Sequence, residues 1–345
     1  MTFARRSAPL FIASLAATGF GMLAGASAAS ADVNLYTTRE AGLIQPLIEG
    51  FEKSSGVKVN TVFLKDGLAE RVKAEGEKSP ADLLMTVDFV ALIDLVEKGL
   101  TQKVASPALE AAVPAQLRDP EGHWFALSLR ARVLYAAKDL DLKSFKYEEL
   151  ADPKWKGKVC IRAGQHPYNV ALIADYIVHH GPEKAEAWLT GLKSNLARKA
   201  AGGDRDVAKD ILGAVCEIGV ANSYYVGAMR SGKGGPDQEK WAQAIKVVLP
   251  TFENGGTQVN VSGAGVAKHA PNKAEAVKFL EYLASDEAQA IYAKANYEYP
   301  VKAGAAVDPL IAEFGTLSPD KTPLTEIAKR RKEASQLVEK VGFDQ

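Results

Sequence analysis

Sulfur, imidazole and any excess of charge are what this 345-residue chain has little of. It carries two cysteines and five histidines, with no Cys-x-x-Cys or His-Glu-x-x-His spacing, which removes thiolate zinc sites and the zincin arrangement. Lysine plus arginine total 42, and so do aspartate plus glutamate. With no block of like charge, neither a nucleic-acid groove nor a membrane-surface helix is indicated. The glycine-rich stretch from Gly255 to Gly265 lacks the GxxxxGK(S/T) order of a phosphate loop and reads as turns between strands. No Ser-His-Asp order is recognisable, so nothing supports catalysis. Beyond the N-terminal segment no apolar run is long enough to span a bilayer.

That N-terminal segment reads as an export signal. Arg5 and Arg6 form the positive region, Pro9 to Leu23 the apolar stretch, and Ala29-Ser30-Ala31 the small-residue cleavage site. Residues 1–31 are therefore expected to be removed, leaving a soluble exported chain from Asp32. In an oxidising compartment Cys160 and Cys216 have a reason to pair. Both lie in short apolar strand-like runs, which predicts a disulfide if the strands are neighbours; two buried thiols are the alternative.

The rest alternates strand and helix, the pattern of an α/β protein with mostly parallel, doubly wound sheets. Val33 to Thr38, Val57 to Phe63 and Asp82 to Val87 read as strands. Between and after them, Leu43, Ile44, Leu47, Ile48 and Phe51 share one helical face, and Leu68–Glu75 and Val90–Leu100 read as helices. Trp124 to Lys138 is a long β-like run into a second α/β unit, with strands at 157–163, 216–221 and 245–252. Material from Thr257 to Leu283 then rejoins the first unit. These switches predict two lobes, 32–130 plus 252–296 and 131–251 plus 297–345, joined by two crossing hinge strands over a ligand cleft.

Tyr224 and Tyr225 directly follow an apolar strand. Two phenolate oxygens presented together suit a hard trivalent cation such as Fe³⁺; aromatic packing in the core is the competing reading. Tyr36 also stands at the carboxyl end of a predicted strand, where ligands of such sheets sit. Ser223 reads as an N-cap, and Thr37-x-x-Glu40 as a capping box that would occupy Glu40. Arg39 would lie in a first helical turn, able to grip an anion with two parallel bonds. Arg130 and Arg132 share one face of the long strand. His166 reads as a loop residue, and His179-His180 as an exposed helix end rather than a metal site.

Seven blocks, in order along almost the whole predicted mature chain, carry a resemblance. They are Asn34–Glu40, Ser79–Asp88, Leu127–Val133, Trp155–Arg162, Pro167–Leu172, Ala221–Tyr225 and Asn296–Pro300. Together they resemble the ferric-iron-binding periplasmic proteins of ABC importers, in the type II periplasmic binding-protein superfamily. The resemblance implies a monomer that binds Fe³⁺ by hinge closure and hands it to an inner-membrane ABC permease. It implies ligands at Tyr36, Tyr168, Tyr224 and Tyr225, and a synergistic anion such as carbonate, for which Arg39 is the natural partner. Where many relatives have histidine this chain has Glu40, Ala41 replaces a tyrosine found in some, and Val87 stands where others use glutamate. Two rival readings remain: a binding protein of this fold for a small organic or oxyanionic solute, and an exported enzyme on the same scaffold.

Overall fold

A computed structural model of the chain describes residues 1–2 and 31–345. The predicted export signal, with Arg5, Arg6 and the 9–23 run, lies outside the described residues. Among those described, no helix is long and apolar enough to cross a membrane.

The chain opens with β1 (Val33–Thr37), α1 (Ala41–Ser55), β2 (Val59–Phe63), α2 (Leu68–Glu75), β3 (Leu83–Thr86), α3 (Phe89–Glu97) and α4 (Pro107–Ala112). In α1 the buried side chains Ile44, Leu47, Ile48 and Phe51 recur at helical spacing. The helix ends at Gly56, whose φ of 73° is the left-handed conformation a side chain disfavours. Next come β4 (Phe125–Ala137), β5 (Val159–Cys160), α5 (Pro167–His180), α6 (Pro182–Ser194), α7 (Asp204–Leu212), β6 (Ile218–Asn222) and α8 (Tyr224–Arg230). The chain returns through β7 (Ile245–Val248), β8 (Val259–Val266) and β9 (Tyr299–Pro300), with further helices between and after.

Strands run in the order β2-β1-β3-β8-β4-β6-β5, with β7 and β9 also paired to β4. The fold is the expected two-lobed α/β architecture, but the sheet is mixed rather than mostly parallel. β1 is parallel to β2 and β3, and β5 to β6, whereas β8 is antiparallel to both its neighbours. The reversal follows from β8 entering from the second lobe. One continuous strand joins the lobes: β4 pairs with β8 up to Ala131 and with β6 from Arg132 onward. The second crossing is irregular, its last part tied by Arg132 N donating to Gln258 O at 2.9 Å.

Gly263 and Gly265, expected in turns, lie inside β8. A Cβ at Gly263 would come within 2.6 Å of Phe125 O, and one at Gly265 within 2.3 Å of His123 O. Glycine is therefore required by close backbone approach.

Cys160 and Cys216 form a disulfide with Cα atoms 5.9 Å apart, spanning 56 residues of chain. The parallel pairing of β5 with β6 brings them together. Closing a loop of that length removes unfolded-state entropy, so the Cys160→Ala/Cys216→Ala protein is expected to lose about 2–4 kcal/mol. Urea unfolding with and without reductant checks this; an unchanged midpoint would refute it.

Candidate metal centre

β6 runs into α8 without a loop, so Tyr224 and Tyr225 emerge where the strand ends. Ser223 anchors that junction: its amide donates to Ala131 O at 3.0 Å, and its Oγ accepts from Ala131 N at 3.3 Å. The hydroxyl makes no cap bond to the helix, so the N-cap expectation is replaced by a clamp onto β4. The two rings lie 4.1 Å apart and tilted by 32°. Val226 and Met229 bury the opposite side of α8.

Tyr168 is the second residue of α5, after Pro167 at the favoured first position. His166 caps this helix, its Nδ1 accepting from Tyr168 N at 3.2 Å, and its ring meets the tyrosine edge-on at 4.6 Å. Burial and the neighbouring Arg162 push the His166 pKa down to about 4. The ring is thus neutral at pH 7 and keeps the lone pair that makes the cap.

Around these phenols stand several guanidiniums. Arg130, Arg132 and Arg162 lie 5.9, 6.0 and 5.2 Å from the Tyr168 ring centre, and Arg205 lies 4.9 Å from that of Tyr225. Asp204, fully buried, holds two of them. Its carboxylate accepts from Arg132 Nη1 at 2.8 Å, Arg162 Nη1 at 3.2 Å and Asn222 N at 2.8 Å. Arg132 is completed by Asn222 Oδ1 at 3.2 Å and Asn169 Oδ1 at 2.6 Å. Arg130 donates to the carbonyls of Val87 and Val261. The buried Nε atoms of Arg39, Arg130, Arg132 and Arg162 all lack a partner.

Burial raises the Tyr224 pKa well above that of a free phenol, and Tyr168 and Tyr225 add to the rise while Arg130 opposes it. Tyr225 is raised by burial and by Tyr168, with Tyr224 and Arg162 opposing. Tyr224 and Tyr225 pack ring to ring, and a negative charge on Tyr168 would act on both. At neutral pH Tyr224 and Tyr225 therefore hold their protons.

Tyr36 is not brought to this cluster. Its ring packs with Leu68, Val72, Leu84 and Leu95, a group that contains none of the other three tyrosines. Its hydroxyl donates to Glu75 at 3.0 Å, and Arg71 lies over its ring at 5.2 Å. Side chains alternate along β1, and Tyr36 points toward α2.

Arg39, three residues on, is buried by a different partner. Its Nη2 donates to both oxygens of Glu298 at 3.1 and 3.0 Å and to Ser262 Oγ, with the Tyr292 ring 5.2 Å away. Ser128 Oγ also donates to Glu298. Burial works against the Arg39 charge, but Glu298 outweighs it and holds the guanidinium pKa above its ordinary value. The capping box does not form. Glu40 is exposed and makes no cap bond, and Thr37 Oγ1 accepts from Arg39 N at 2.9 Å instead.

Glu298, Asp204 and Arg162 were not singled out from the sequence. Arg162 and Glu298 stand in two of the seven blocks, and a carboxylate between two tyrosines was the available signal. An apolar groove of about 500 Å³ lined by Leu117, Leu129, Tyr299 and Val301 does not include the three tyrosines. Converging donors matter more than volume for a bare cation, so the groove does not displace the cluster as candidate.

Residues 78–316 match the family described as bacterial extracellular solute-binding protein. Iron uptake protein A1 of Synechocystis sp. is 41% identical over 317 residues, covering 90% of this chain and 87% of its own. The Bordetella ferric binding protein superposes with a TM-score of 0.89 at 66% identity, over 91% of this chain and all (100%) of that one. A Trichodesmium protein solved with iron and citrate gives a TM-score of 0.86 at 40% identity, over 91% and 99% of the two chains. These relatives are binding proteins, not enzymes. The chain therefore belongs to the bacterial extracellular solute-binding proteins, and within them its relatives are the ferric-binding proteins.

Proposed function

We propose that this protein is the periplasmic solute-binding component of an ABC iron importer, holding Fe³⁺ through the phenolates of Tyr168, Tyr224 and Tyr225. The observation that carries the reading is the gathering of three phenols from α5 and α8 beside Arg130, Arg132 and Arg162. Phenolates are hard, anionic donors matched to a hard trivalent ion, and nearby positive charge favours ionised ligands. Tyr36, committed to Glu75, is left out of the ligand set.

A small anion such as carbonate completes the coordination. The unpartnered guanidinium Nε atoms support it, and Arg39 offers one of them while Glu298 occupies its Nη2. The lobes, taken as 32–130 with 252–296 and 131–251 with 297–345, close about β4. The α5 and α8 tyrosines capture the ion first, and closure brings Arg39 and the anion while excluding water. The monomer then delivers its cargo to an inner-membrane permease.

The first test is a visible-absorption titration with ferric citrate, with and without bicarbonate. A phenolate-to-iron charge-transfer band that saturates at one equivalent is the expected result. A colourless protein that takes up no iron would overturn the reading and favour an organic solute.

Acidity sets a second expectation. Tyr224 and Tyr225 are protonated in the free protein, their pKa values raised by burial, and deprotonated when they ligate. Binding therefore releases at least two protons, and each costs about tenfold in affinity per unit fall in pH. Ferric affinity is expected to drop by about a hundredfold or more per pH unit below neutrality, measured against a competing chelator. A flat profile between pH 7 and 5 would exclude ligation by these two phenols.

A further inference from the structure

The other end of α5 holds chemistry that iron capture does not use. Asp175 and His179 are four residues apart on this helix and share a face. His179 lies eleven residues beyond Tyr168, about 16 Å along the helix axis. Asp175 is fully buried, and neither of its carboxylate oxygens has a hydrogen-bond partner. An unpaired carboxylate is among the costlier groups to bury. This one faces two further donors. His179 Nε2 lies 3.7 Å from Asp175 Oδ1 and 3.1 Å from Asp320 Oδ2. One ligand atom from each of the three residues falls within 4.8 Å of the others.

The sequence reading of His179 as an exposed helix end is corrected here. Phe252 stacks on its ring at 4.2 Å, and Asp320 covers its Nε2. Asp320 is itself oriented, Oδ1 accepting from Thr322 N at 2.8 Å and Oδ2 from Gly256 N at 2.7 Å. A Cβ on Gly255 would come within 2.2 Å of Asp320 Oδ2 and 2.7 Å of His179 Cε1, so the loop fits closely around the cluster. An open cavity of about 600 Å³, lined by His179, Gly255, Asp320 and Thr322, leads in from solvent.

A His179–Asp320 pair alone would account for two of the groups and leave Asp175 without purpose. We infer that Asp175, His179 and Asp320 form a binding site for a divalent transition cation of the Zn²⁺ class, separate from the tyrosine cluster. One imidazole and two carboxylates are a borderline donor set, and ligand distances of about 2.0–2.2 Å around a tetrahedral ion place donors roughly 3.3–3.5 Å apart. The observed 3.1 and 3.7 Å bracket that spacing. The cavity side offers the fourth position to water. The ion would tie the end of α5 to the 318–322 segment, which Gly256 N already joins to the 253–256 loop through Asp320.

The test is calorimetric titration with Zn²⁺ of the wild type, of Tyr225→Phe, and of Tyr225→Phe carrying Asp175→Asn or His179→Gln. Tyr225→Phe identifies any zinc taken by the phenols, so failure of the ferric reading stays distinguishable from failure of this one. One Zn²⁺ equivalent is expected to persist in Tyr225→Phe and to weaken by more than about 100-fold when Asp175→Asn or His179→Gln is added to it. Zinc should raise the melting temperature of Tyr225→Phe but not that of Tyr225→Phe carrying either site substitution. Asp175→Asn keeps the side-chain shape, and His179→Gln provides the same comparison if it fails to fold. Tyr225→Phe protein that takes up no zinc, or an equivalent indifferent to both site variants, would overturn the proposal.

Discussion

Tyr225→Phe is expected to lower ferric affinity by more than a hundredfold and to weaken or abolish the visible charge-transfer band. The substitution removes one oxygen and little else. The ring keeps its place against Tyr224 at 4.1 Å and beneath Arg205 at 4.9 Å, so folding should be spared. Residues that merely support a metal ligand typically cost about 10–100-fold when changed, and removing the ligand itself should exceed that. Tyr36→Phe is the matched control. Its hydroxyl serves Glu75, so its loss should cost about 0.5–1.5 kcal/mol of stability and leave iron affinity unchanged. Wild-type affinity in Tyr225→Phe, or an equal loss in Tyr36→Phe, would dismantle the three-phenol site.

Asp204→Ala is expected to destabilise the protein by about 3–5 kcal/mol, because it strands the buried charge of Arg132 and the half-buried one of Arg162. Arg132 and Arg162 both donate to this carboxylate, as does the amide of Asn222 at the end of β6. Arg132 itself is almost wholly inaccessible and sits on the strand shared by both lobes. The loss should appear as a melting temperature lower by on the order of 10 °C. Asp204→Asn should fall less far, since an amide oxygen can still accept one of the three bonds. A loss under about 1 kcal/mol for the alanine variant would show the pair to be solvated, as surface ion pairs are.

What the sequence revealed was mainly local. The buried face of α1 follows from apolar spacing, and the tyrosine pair at the end of β6 from adjacency to a strand. Strand position alone misplaced Tyr36. The end of a strand is legible, but the face a residue occupies depends on what packs there, in this case Leu68 and Val72 of α2. Glu298 escaped notice because its partner Arg39 lies 259 residues away. Asp204 did so because Arg132 is 72 residues distant. The caps expected at Glu40 and Ser223 were outcompeted, one by the turn that buries Arg39 and the other by the tie to Ala131. His179 carries a helix-end signature, and only long-range packing of Phe252 and Asp320 buries it.

The placement of β8 bears on how the chain assembles. It is made late, yet it fills the middle of the sheet between β3 and β4, with all eight residues buried. Until residue 266 exists, β3 and the leading half of β4 expose facing backbone edges, the kind that recruit strands from other molecules. Joining partners as far apart as Leu83 and Val266 also makes closure slow. The nascent chain consequently passes through an interval in which these edges stand open to strands of other molecules.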